Sequence, residues 1–94
     1  MRVLNRLESE IEQSVVDWWQ RQGGMVLKLN VIGRKGWPDR MFLDYGGRAI
    51  FIEFKRPAEK SRALQAHIHK LLKSRGFQVY VCDNAGDAKK ILGS

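Results

Sequence analysis

Asp39, Glu53 and Lys55 are the residues whose types and spacing point most directly to chemistry. Pro38-Asp39 opens one apolar run, Glu53-Phe54-Lys55 closes the next, and Gly46-Gly47 lies between them. A Gly-Gly pair flanked by such runs is a hairpin signal. Two antiparallel strands joined by a tight turn bring their outer ends side by side, which sets Asp39 next to Glu53. Residues two apart on a strand share a face, so Glu53 and Lys55 point the same way. The expected product is a pair of carboxylates and one ammonium at one end of a hairpin. Paired carboxylates suit a hard divalent cation such as Mg2+, which takes oxygen ligands and keeps waters for substrate chemistry. Such a cation offsets phosphate charge and acidifies a bound water. An ammonium beside it can orient that water or take up negative charge in the transition state. Taken singly, these residues read equally well as a solvated strand end and a turn residue after proline. Their convergence on one hairpin end favours the chemical reading.

The elements that must position them follow from periodicity. Leu4, Leu7, Ile11, Val15 and Trp18 recur at three- and four-residue steps, which predicts a helix over 5–22 that Gly23-Gly24 stops. Alternation over Met25 to Ile32 predicts a half-buried strand, followed by the basic loop 33–38. Strands over 39–45 and 48–55 form the hairpin. Ser61 is placed to cap a helix whose Leu64, Ile68, Leu71 and Leu72 keep helical spacing as far as Ser74, and Gly76 ends it. A core strand over Phe77–Cys82 and a short helix over Gly86–Leu92 complete the chain. The order is α-β-β-β-α-β with a short C-terminal helix, and without a linker or repeat it reads as one α/β domain over 1–94.

Bulk properties narrow the partner. Seventeen Lys and Arg against ten Asp and Glu give a net charge of +7 in 94 residues. The commonest partner of such a surface is a polyanion. No stretch approaches the roughly 20 apolar residues of a membrane span, and the N-terminus lacks the apolar run of a signal peptide. The single Cys82 cannot form an intramolecular disulfide, which fits a reducing cytoplasmic compartment, and no Cys/His pairs have the spacing of a structural zinc site. Nucleic acid is therefore the expected partner.

The residues now on the page carry a resemblance. Pro38-Asp39 with Glu53-Phe54-Lys55 in an α-β-β-β-α-β order is similar to the PD-(D/E)XK nuclease superfamily, with its restriction-endonuclease-like core. Within it, Gly36-Trp37-Pro38-Asp39-Arg40, Ile52-Glu53-Phe54-Lys55-Arg56-Pro57 and Gln65 on the next helix resemble the virus-type replication-repair nuclease (VRR-NUC) group, over nearly the whole chain. The resemblance implies a Mg2+- or Mn2+-dependent endonuclease acting on branched or structured DNA, such as Holliday junctions or flaps, in replication, recombination or repair, and encoded by a phage or prophage. It implies Asp39 and Glu53 as metal ligands with the Phe54 carbonyl, Lys55 at the nucleophile, and Gln65 facing the metal site. It also implies a glutamate from the first helix. Glu8 fits the Glu-x-x-Ile opening of many phage relatives, Glu12 fits the spacing of archaeal junction resolvases, and both stay open.

Arg34, Lys35, Arg40, Arg56, Lys60 and Arg62 flank the acidic group in sequence and are candidates to hold DNA phosphates, against the plainer reading of solvated loops. His67 and His69 differ by two on a helix and do not share a face, which argues against a paired metal site and leaves them as exposed residues or one of them as a DNA contact. Trp18 continues the apolar stripe and reads as core, whereas Trp19 and Trp37 read as a subunit contact or a stacking surface for an unpaired base. A homodimer is expected, since junction cleavage needs two sites. The rival readings are a nucleic-acid-binding module without catalysis and a small interaction protein. The presence of Asp39, Glu53 and Lys55 together counts against the first, and a magnesium titration followed by NMR decides the second.

Overall fold

The structure, a computed structural model, describes residues 3–93 along the backbone and side chains from Glu8 to Gly93. Helix α1 (Val3–Arg21) buries Val15, Val16 and Trp19, while Glu10, Gln13 and Asp17 on its other side stay exposed. The sequence pattern also assigned Leu4 and Leu7 to the buried stripe; those two side chains lie outside the described residues. Gly23, at φ 86°, takes the left-handed conformation that ends the helix. Its N–H donates to Gln20 O at 3.0 Å, and the Gly24 N–H donates to Trp19 O at 3.0 Å. A Cβ on Gly24 would collide with the Trp19 indole, so the second glycine is needed for close approach.

Strand β1 (Met25–Lys28) pairs antiparallel with β2 (Arg40–Leu43), and β2 pairs antiparallel with β3 (Ala49–Phe54). The expected strand to Ile32 is cut short. Lys28 opposite Arg40 is its last paired residue, and one further bond runs from the Leu29 N–H to Asp39 O at 2.9 Å. Beyond that the facing chain is Gly36-Trp37-Pro38, where proline has no N–H for a ladder. Residues 29–38 leave the sheet as a loop instead.

Helix α2 (Ala63–Ser74) carries the chain from β3 to β4 (Gln78–Cys82), which lies parallel to β3 and completes the order β1-β2-β3-β4. The helix begins one residue later than expected. Arg62, rather than Ser61, occupies the cap position, with its N–H bound to the Gln65 side chain at 3.1 Å. Helix α3 (Ala85–Leu92) starts at Asn84, whose Oδ1 accepts from the Asp87 N–H at 2.8 Å.

Strand alternation divides the core between two faces of the sheet. Phe42, Ile50, Ile52 and Phe54 pack under α1 and α3 with Val15, Trp19 and Leu92. On the opposite face Phe51 and Val79 meet Leu72 of α2, with Met41 and Ile68 alongside. The result is a three-layer α/β/α domain with three helices and a four-stranded mixed sheet. Because Phe51 looks toward α2, so do Glu53 and, just past the strand end, Lys55. Lys55 stays in line because its N–H donates to Cys82 O of β4 at 2.9 Å.

Trp19 corrects the expectation of a subunit contact. It is 6% exposed, its Nε1 donates to Met25 O at 2.9 Å, and its ring meets Phe42 edge-on at 6.2 Å. Trp18 is only half-buried, with the Lys89 ammonium 5.8 Å from its ring centre. Among the described residues no helix is long and apolar enough to cross a membrane.

Candidate active site

Pro38 is buried at the end of the 29–38 loop and delivers Asp39 to the mouth of the hairpin. With Arg40 paired to Ile52, the next position outward sets Asp39 opposite Glu53. The Asp39 Oδ2 accepts from the Phe54 N–H at 2.8 Å, so the carboxylate is fixed by the backbone of the strand that carries Glu53. Glu53 is 3% exposed and Lys55 6%, a depth at which an unpaired charge is costly. Gln65, in the first turn of α2, joins them. Its Nε2 donates to Glu53 Oε2 at 3.0 Å, and its Oε1 accepts from Lys55 Nζ at 2.7 Å. Lys55 Nζ itself stands 3.7 Å from Glu53 Oε2.

The electrostatics show what the pair lacks. Burial, followed by the charge of Asp39, pushes the Glu53 carboxyl up to about 7. Burial also raises Asp39, opposed by the bond from the Phe54 N–H. Glu53 Oε1 is buried with no donor among the described residues. Two adjacent carboxylates, one with an open oxygen, are chemically suited to a hard cation. Among the described residues no three His, Cys, Asp or Glu side chains converge as a cage. A cation held by Asp39 and Glu53 would keep places for a further oxygen ligand, water and substrate, a donor set that suits a hard divalent ion.

The two first-helix candidates have different surroundings. Glu12 accepts from Arg40 Nε at 2.5 Å and from Lys28 Nζ at 3.3 Å, so its charge is already matched. The Glu8 carboxyl is raised by burial and then by the negative charges of Glu59 and Asp39, so it lies within electrostatic reach of Asp39.

The proposed phosphate contacts also divide. Arg34 and Lys35 are exposed on the loop before Trp37, and Arg56, Lys60 and Arg62 are exposed between β3 and α2. Arg40 corrects the expectation of a solvated rim residue: its side chain is 16% exposed and bound to Glu12, because the pleat of β2 turns it toward α1. Near the site, Glu59 escaped the sequence reading and His69 differs from it. Glu59 accepts from the Arg56 N–H at 3.0 Å and lies close enough to raise Glu8. His69 is buried where exposure was expected, with Nε2 unpartnered among the described residues, and burial lowers its pKa. The available signal was its spacing: His69 lies four residues after Gln65, on the helix face that looks at Lys55.

Comparison with known proteins bears on the fold and the family. No family profile matches the chain. It is 38% identical over 85 residues to "Putative nuclease p44" of Acyrthosiphon pisum secondary endosymbiont phage 1, and the match spans 90% of each protein. A solved VRR_NUC domain superposes with a TM-score of 0.84 at 26% identity, over 92% of this chain and 94% of that one. With the hairpin, the crossover helix and the site geometry already in place, these likenesses show that the chain belongs to the VRR-NUC family of the PD-(D/E)XK nuclease superfamily.

Proposed function

We propose that this nuclease is a Mg2+- or Mn2+-dependent endonuclease that hydrolyses phosphodiester bonds in branched or structured DNA. The observation that carries this reading is the buried Glu53 Oε1, left without a donor beside Asp39 while Gln65 and Lys55 satisfy the other oxygen. Asp39, Glu53 and the Phe54 carbonyl would hold the metal, with Glu8 the preferred helix ligand because Glu12 is already ion-paired. A divalent cation bound there supplies Lewis acidity at a phosphoryl oxygen and lowers the pKa of a water. The Phe54 N–H holds Asp39 at a fixed angle. Gln65 orients Lys55, whose ammonium faces the attacking water and the charge that builds on the phosphoryl oxygens. Removing one such electrostatic donor raises a barrier by about 3 kcal/mol, roughly a hundredfold in rate.

Arg34, Lys35, Arg56, Lys60 and Arg62 supply the cationic rim for the DNA backbone. The similarity to a phage protein supports a role in phage DNA replication, recombination or repair inside the bacterial cytoplasm. A homodimer belongs to this reading, since resolving a junction takes two cuts and a two-fold pair supplies two equivalent sites. With Trp19 in the core, the free edge of β1, where Met25 is 65% and Leu27 47% exposed, is the apolar surface suited to pairing. The test is incubation with labelled junctions, flaps, splayed arms and plain duplex, in Mg2+, Mn2+ or chelator. Metal-dependent cutting confined to the branched substrates is expected, and cutting that persists in chelator contradicts the assignment.

A further inference from the structure

Loop 29–38 and helix α2 enclose a groove of about 490 Å3 whose walls are Trp37, Leu64, Ile68, Leu71 and Leu72. Its volume is that of a small-molecule site, and its lining is apolar surface left open among the described residues: Leu64 is 48% and Leu71 40% exposed. Arg34 and Lys35 on the loop and Arg75 at the end of α2 stand at its rim. Arg75 is held in place, with Nη1 donating to Leu71 O and Ser74 Oγ, each at 3.2 Å. The loop is pressed hard against the helix. Gly36 is at φ 94°, and a Cβ there would come within 2.8 Å of Leu64 Cγ and 3.0 Å of Leu64 O. The groove is therefore a built feature of the loop–helix contact.

Its position ties it to the acidic pair. Trp37 precedes Asp39 by two residues, no more than about 7 Å of chain, and Leu64 directly precedes Gln65. An occupant of the groove thus lies within a nucleotide's reach of a phosphate at Asp39 and Glu53. An apolar slot with an indole in its wall and cations at its mouth matches the way single-stranded nucleic acid is held, base against ring and phosphate against ammonium or guanidinium. A second copy of the chain fits poorly, because a two-fold contact here would set Arg34, Lys35 and Arg75 against the same cations of the partner.

We propose that this groove seats one unpaired nucleobase beside the scissile phosphate. The inference rests on the nuclease reading above and names the substrate feature that this site selects. In duplex DNA both faces of each base are stacked and none is free to enter, whereas a flap, a splayed arm or an opened junction presents one. The groove thereby converts a sequence-blind site into one specific for strand branching.

The test is equilibrium binding, with Ca2+ in place of Mg2+, to a splayed-arm oligonucleotide in which a single abasic residue is moved through the branch. One abasic position is expected to weaken wild-type binding about tenfold, the loss of one stacked base. In Leu64→Ser and Leu71→Ser, both half-exposed changes that leave the fold intact by circular dichroism, that position dependence disappears while plain duplex affinity is unchanged. Binding indifferent to the abasic position overturns the proposal, as does an equal loss on duplex and splayed DNA in both variants. Light scattering in which these variants turn a dimer into a monomer, with the abasic dependence retained, assigns the groove to a subunit interface and also overturns it. The nuclease reading fails separately: a wild type that shows the abasic dependence yet cuts no DNA loses the catalytic assignment and keeps the groove.

Discussion

Gln65 holds Lys55. Its Oε1 accepts from Lys55 Nζ at 2.7 Å while its Nε2 donates to Glu53 Oε2 at 3.0 Å, so one neutral amide spans an ammonium and a carboxylate. The same Oε1 takes the Arg62 N–H at 3.1 Å, which makes the start of α2 and the arrangement of the site a single contact. Glu53 Oε1 remains open beside Asp39 as a consequence.

Gln65→Ala should therefore leave the fold intact and slow cleavage about tenfold to a hundredfold, as expected of a residue that orients a reacting group. Single-turnover rates at saturating metal measure it. A wild-type rate in the variant contradicts the positioning role.

Stability should depend on pH through Glu53. Its carboxyl sits at about 7 in the fold against an ordinary value of 4.5, because burial and Asp39 disfavour the charge. The folded state thus binds this proton more tightly than the unfolded chain does. The stability contributed is full below about pH 4.5 and lost as pH rises through about 7. In chelator, the Tm of wild type relative to that of Glu53→Gln is expected to fall between about pH 5 and about pH 8, a difference that cancels the opposite contribution of the lowered His69, and Mg2+ should reverse the fall by neutralising the pair. A metal-free difference that rises over this window contradicts the assigned environment.

Arg40 and the exposed cations should separate by salt dependence. Binding to DNA should weaken steeply with salt, and each of Arg34→Ala, Lys35→Ala, Lys60→Ala and Arg62→Ala that removes a phosphate contact should lower the slope of log affinity against log salt by about 1. Arg40→Ala should instead destabilise the protein by on the order of 2 kcal/mol, by leaving Glu12 without its main partner. Urea titration and fluorescence anisotropy together distinguish the two classes. An Arg40→Ala protein of normal stability but reduced salt slope would place Arg40 on the DNA.

Trp19→Ala should cost about 3 to 5 kcal/mol, lowering the urea midpoint whatever the protein concentration. A variant of unchanged stability that only shifts a dimer toward monomer contradicts the buried position of Trp19.

The parts of this architecture that were legible in the sequence are those fixed by local geometry. The hairpin over Gly46-Gly47 forces Asp39 and Glu53 together, and the two-residue period of a strand forces Glu53 and Lys55 onto one face. Both follow without knowledge of any distant contact. What was missed depends on such contacts. The strand after Met25 stops at Lys28 because its partner strand starts only at Arg40, a fact absent from its own alternation. Trp18 and Trp19 have adjacent positions on α1, and the place of the β2 ring Phe42 beneath them decides that Trp19 is the buried one. Arg40 looks like a rim residue until α1 brings Glu12 across the sheet to meet it. The partition between Glu8 and Glu12 has the same origin, since the two glutamates share a helix face one turn apart and differ in the charges that other elements bring to them.

The central claim is that the Asp39–Glu53 pair holds the metal that drives strand cleavage. Its most direct test is the rate at which purified Glu53→Gln cuts a labelled four-way junction or splayed arm in Mg2+, alongside wild type and with folding checked by circular dichroism. The isosteric amide keeps the packing beside Gln65 but removes the charge, so a folded, DNA-binding protein with cleavage reduced at least about a hundredfold is predicted. Cleavage at the wild-type rate by folded Glu53→Gln would mean that the active site lies elsewhere.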